Sequence, residues 1–173
     1  MKIFYKSWFI SLAFVVSIFC NNIFSQECDD GTSPIDGYCN GIPALFEHNQ
    51  SMLQAFYLAE NATVNGITIS QDDWLGAFRG EICVGSRKWE DCGGNVCDIP
   101  AMGDDGQGLT SGYMQNGDIP TFMIYDASAD EYYPAESSLN QGWAAYNYID
   151  IDFINVIADC WGTLGGDAFL DDC

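Results

Sequence analysis

The chain has 173 residues, 48% of them hydrophobic and 14% aromatic, which is enough apolar material for one globular domain with a real core and argues against disorder of the whole. Its 25 acidic residues against 5 basic ones give a formal net charge of −20 and a pI near 4.1. No basic stripe is present to displace phosphate counterions, which excludes nucleic acid as a partner and disfavours an anionic membrane surface.

Residues 1–25 read as a secretory signal peptide: Lys2 and Lys6 precede an apolar run from Phe9 to Phe19, and Ser25 is a small residue at the expected cut. The segment is short for a bilayer span, so no membrane insertion is expected after cleavage. The mature chain would begin at Gln26 and keep only Arg79, Arg87 and Lys88 against 25 acids, a net charge of −22. Export implies an oxidising compartment, so Cys28, Cys39, Cys83, Cys92, Cys97, Cys160 and Cys173 are read as disulfide formers with one left over.

Residues 26–42 form a short Cys-bounded segment rich in turn residues, expected to close through Cys28 and Cys39. Residues 43–158 carry short apolar runs between Gly, Asn and Asp, with no sustained helical period. Strands are predicted at Leu53–Leu58, Ala62–Asn65, Ile67–Ser70, Trp74–Phe78 and Ile82–Trp89, with Asn65-Gly66 as a two-residue hairpin. Further strands are predicted at Thr121–Tyr125, Glu131–Pro134 and Tyr146–Val156. In the last of these Tyr148, Asp150 and Asp152 alternate with Ile149, Ile151 and Phe153 as a polar and an apolar face. The stretch from Glu90 to Asp118 reads as a long Gly- and Asp-rich loop. The pattern predicts an all-β domain, an antiparallel β-sandwich or jelly roll with long loops, followed by a short Cys-bounded tail at residues 159–173.

Hard cations take oxygen ligands, so loops dense in Asp make calcium the cofactor this composition favours. Candidate ligands are Asp72 and Asp73, then Asp104, Asp105 and Asp118, then Asp159, Asp167 and Asp171 in the tail. None fits the EF-hand template, and turn formation accounts for such acids without a cation. For Cys92 and Cys97 a small disulfide loop is a better reading than zinc, because His48 is the only histidine and no second close Cys pair completes a site. Cys83 lies in a predicted strand, as a buried thiol or a bridge to the following loop.

Catalytic signatures are absent: there is no Gly-x-Ser-x-Gly and no His-Glu-x-x-His, and His48 reads as a hydrogen-bonded or surface residue. Trp89, Tyr113, Trp143 and Tyr146 fall in or beside predicted loops and are candidates for a carbohydrate platform, because a flat ring stacks on a sugar face. Trp74 and Phe78 are expected in the core.

Asp72-Asp73-Trp74-Leu75-Gly76-Ala77-Phe78, then Gly80-Glu81-Ile82-Cys83-Val84-Gly85, resembles a signature of β-sandwich modules in secreted bacterial surface proteins. Gly117 to Asp126 resembles the second half of that module, and Asp159 to Cys173 one incomplete Asp-Cys-x-Gly-x-x-Gly-Gly repeat. The resemblance implies an extracellular or cell-surface, non-catalytic binding or structural module within a larger exported protein. Its partner would be an extracellular glycan or a surface protein. A carbohydrate-binding module of a polysaccharide-degrading protein is the alternative, and a small glycoside hydrolase the second.

Overall fold

A computed structural model describes residues 27–94, 96–159 and 162–166. It is all-β. The small strands β1 (Tyr38–Cys39) and β2 (Ile42–Pro43) form a two-stranded sheet in the N-terminal segment. The large sheet contains β3 (Gln54–Val64), β4 (Ile67–Thr68), β5 (Trp74–Arg79), β6 (Ile82–Lys88), β7 (Cys97–Met102), β8 (Thr121–Asp126), β9 (Glu131–Ser137) and β10 (Tyr148–Val156). Its order is β4-β3-β10-β9-β8-β5-β6, with β7 also on β3. The sheet curls until β6 meets β7, and that seam has no ladder pairing: Arg87 bridges it to the carbonyl and carboxylate of Asp98 at 3.2 and 2.8 Å.

Local chemistry sets the tight turns. Asn65 and Gly66 both take positive φ (49° and 77°), the primed hairpin that joins β3 to β4, and Gly80 at φ 61° turns β5 into β6. Alternation sets the inner face, where Tyr57, Leu75, Val84, Ile99, Ile124 and Ile151 are fully enclosed in one core.

The structure departs from the sequence reading in four places. The two strands expected at Leu53–Leu58 and Ala62–Asn65 are one strand, β3, in which Glu60 and Asn61 are both exposed and the inward phase passes from Ala59 to Ala62. Its neighbour β10 makes the same shift: Asp152 and Phe153 are both exposed, so Phe153 leaves the apolar face and Ile154 and Val156 take it over. The paired shifts keep both strands in phase, with Ala59 opposite Ile151 and Ala62 opposite Ile154. The β3–β10 pairing is parallel, whereas the other ladders are antiparallel. Side-chain alternation is the same in both kinds of ladder, so it carries no record of strand direction.

The fourth departure is β7, which lies within the stretch expected to be a loop. Pro100 disguises it, since proline reads as a strand breaker. As an edge strand β7 tolerates proline: the Pro100 carbonyl points at Gly85, so its nitrogen also faces away from β3 and removes no ladder bond. A Cβ on Gly85 would lie 1.9 Å from that carbonyl oxygen, so only glycine lets β6 pass this close.

The N-terminal segment is a further layer on the outer face of β5, β6 and β8. Phe46, completely buried, packs edge-on against Phe78 and Tyr132 with ring centroids 5.7 and 5.4 Å away. Burying such a ring contributes about 1.5–3 kcal/mol. Gly76 makes room for it, because a Cβ there would come 2.8 Å from the Phe46 ring. Cys28–Cys39 and Cys92–Cys97 are disulfides, and Cys83 is a buried free thiol. In the tail, Leu164 bridges Ala158 and packs on the main core, while Cys160 and Cys173 lie outside the described residues.

Candidate functional site

Three side chains converge on one carbonyl. Phe46 enters the outer face on the 3-10 turn Ala44–Phe46, and its oxygen accepts from Ser86 Oγ at 3.1 Å. Cys83 Sγ lies 3.4 Å from the same oxygen and 3.5 Å from Gly85 O. Burial pushes the Cys83 thiol up to about 12, which keeps it protonated and unreactive. His48 Nδ1 is 3.0 Å from Phe46 O, a bond that requires the Nδ1–H tautomer. Ser86 Oγ is 3.5 Å from His48 Nδ1, and both groups lie within hydrogen-bond distance of Phe46 O. The pair therefore anchors the Phe46 backbone.

The four aromatic candidates are not brought together. Tyr113 (4% exposed) and Trp143 (3%) are in the core, with the Tyr113 hydroxyl accepting from Asn49 N at 2.7 Å and the Trp143 indole N–H donating to Ala101 O at 2.8 Å. Neither can belong to an exposed platform. Their loops fold back beneath Gly103, where a Cβ would meet the Trp143 ring at 2.4 Å. Trp89 is half-buried against the core and lines a shallow hollow with Glu60, Asn61 and Val96. Tyr146 is 68% exposed and sits at φ 66°, a conformation costly for a bulky side chain.

Other rings are better placed. Trp74, expected in the core, is only half-buried, and it lines two adjacent concavities of about 340 Å³ each. One is bordered by Tyr38, Ser70 and Ser128; the other opens at the β6–β7 seam between His48, Gln50, Gln54 and Phe56. Phe56 stacks on Tyr148 at 5.4 Å, outside the sheet. Lys88 lines both concavities and is held by Asp72 at 2.9 Å and Glu90 at 3.0 Å, contacts with Asp72 foremost that raise its pKa. The signal for Trp74 was present in the sequence, since it opens the Gly-Ala-Phe strand; Phe56, Gln50 and Gln54 had none.

The described calcium candidates are engaged within the protein. Asp73 is buried and accepts from Ser70 N at 2.6 Å and Ala127 N at 3.0 Å, tying the start of β5 to the end of β8. Asp104 accepts from Gly106 N at 3.0 Å. Asp105 accepts from Thr110 Oγ1 at 2.6 Å and Gln107 N at 2.9 Å, and the Thr110 bond leads the effects that lower its pKa. Asp118 pairs with Arg79 at 2.6 Å, and Asp159 accepts from Thr163 N at 2.7 Å. Asp167 and Asp171 lie outside the described residues. The one cluster of metal-ligating residue types among the described residues is Cys28, Cys39 and Glu47, whose two sulfurs are joined to each other and so are not thiolate ligands.

No helix among the described residues is long and apolar enough to cross a membrane. No protein-family model, curated protein or solved structure matches the chain.

Proposed function

We propose that this protein is a non-catalytic, extracellular binding or structural module, exported through its N-terminal segment and held in an oxidised state. The observation that carries the reading is the anchoring of Phe46 O by Ser86 and His48, which assigns the chain's one histidine and its nearest hydroxyl to holding a layer in place. Two disulfides fit an oxidising compartment. The buried fates of Gly76, Cys83 and Gly85 give the signature a packing purpose. The net charge of −22 on the mature chain suits a soluble surface that resists self-association. Two measurements test the proposal. Expressed with its own leader in a secreting host, the protein should appear outside the cell with Gln26 first. The purified chain should release no reducing ends from a broad polysaccharide panel, and sustained release would replace this reading with a hydrolase.

A further inference from the structure

In the core the polar atoms of the large side chains are taken: Trp143 donates to Ala101, Tyr113 accepts from Asn49, and Tyr125 donates to Asp130 at 2.9 Å. The Trp74 indole nitrogen and the side-chain amides of Gln50 and Gln54 have no hydrogen-bond partner among the described residues. Each amide offers two donors and an acceptor, the set that vicinal hydroxyls match, and an indole face suits the C–H face of a sugar ring.

Charge narrows the ligand further. Two of the mature chain's three basic residues, Arg87 and Lys88, border the seam concavity, but Asp98 holds the first, and Asp72 and Glu90 the second. No free cation among the described lining residues awaits an anionic ligand, and the −22 field of the mature chain repels one. Each concavity has a volume near the lower end of small-ligand sites, about 300–1,000 Å³, and a shared wall at Trp74 places the two in succession. That layout suits a chain of repeating units.

Resting on the reading of the protein as a binding module, we infer that the two concavities flanking Trp74 form one cleft for a neutral glycan chain, with Trp74 as the stacking platform and Gln50 and Gln54 as hydroxyl-binding amides.

Affinity electrophoresis of the oxidised chain tests this, with xyloglucan, glucomannan, arabinoxylan or mixed-linkage β-glucan in the gel as neutral probes and polygalacturonate and alginate as acidic ones. Retardation by at least one neutral polysaccharide and by neither acidic one is expected. Trp74→Ala should weaken it at least tenfold, and Gln50→Ala about threefold. Gln50 is exposed, so Q50A keeps the fold and decides the matter if W74A does not fold. Three results overturn the inference: no retardation by any neutral probe, retardation by the acidic ones, or retardation that Q50A and folded W74A leave unchanged. Release of reducing ends would instead break the non-catalytic reading and leave the cleft standing, so the two failures are distinguishable.

Discussion

The outer face of β5 and β6 is used in two opposite ways within a few residues. Around Gly76, Phe78 and Cys83 it is sealed by Phe46, with an aromatic cluster above and three groups converging on one carbonyl. Around Trp74 and Lys88 it stays open, bordered by concavities instead of a covering side chain. The same strands thus provide a seat and a wall, and side-chain size divides them: glycine at 76 admits a ring, whereas tryptophan at 74 keeps part of its own ring uncovered. Sealing costs no polar group, because Phe46 O is satisfied three ways, while the open side keeps amides that water or a ligand must satisfy.

The comparison breaks most directly at Phe46. Phe46→Ala should destabilise the protein by about 3–5 kcal/mol, measured by denaturant unfolding, since the ring fills a site with nothing to replace it. A loss under about 1 kcal/mol would show that the N-terminal layer contributes little to the sheet. Gly85→Ala tests the seam: with the Pro100 carbonyl in the way, we expect a loss of about 3 kcal/mol, as overpacking against backbone cannot relax by a rotamer change. An unchanged melting temperature would refute the close approach of β6 and β7.

Breaking the Cys28–Cys39 bridge with paired serines should cost about 2–3 kcal/mol. The loss should appear as faster hydrogen exchange in residues 28–46, while β3 and β10 keep their protection. Equal loosening of both regions would mean that the layers unfold as one.

The smallest effect comes from Cys83. Its folded pKa, about 12, lies above the ordinary value of 9.0 because burial penalises the thiolate. The unfolded chain therefore releases this proton first: the contribution is full below about pH 9 and fades as pH rises toward 12. Buried Tyr57 and Tyr125, also raised, act in the same direction but only above their ordinary value of 10.0. Between pH 9 and 10 Cys83→Ala should flatten the fall in stability by about 1 kcal/mol. The native thiol should resist thiol reagents until the protein unfolds, and rapid native labelling would contradict its burial.

Much of this was legible in the chain. The spacing of apolar runs gave the all-β class, Asn65-Gly66 gave its hairpin, and Cys92 and Cys97 were correctly paired at short range. These features depend on bonds and turns between residues near in sequence, where composition and geometry are tightly linked. What sequence could not supply was anything set by residues far apart. The parallel β3–β10 pairing, the matched phase shift at Glu60–Asn61 and Asp152–Phe153, and β7 behind its proline all depend on which strand becomes whose neighbour.

The aromatics follow the same rule. Tyr113 and Trp143 lie among loop residues and are buried, while Trp74 sits in a strand and is partly open, because burial depends on what the tertiary structure brings over a side chain. The sequence by itself determined most of the strands, the tight turns, the acidic surface and the stock of rings and amides. Only the tertiary structure decided which rings were sealed and which lined a concavity, since strand partners, sheet curl and the landing of Phe46 are contacts between residues 40 to 92 positions apart.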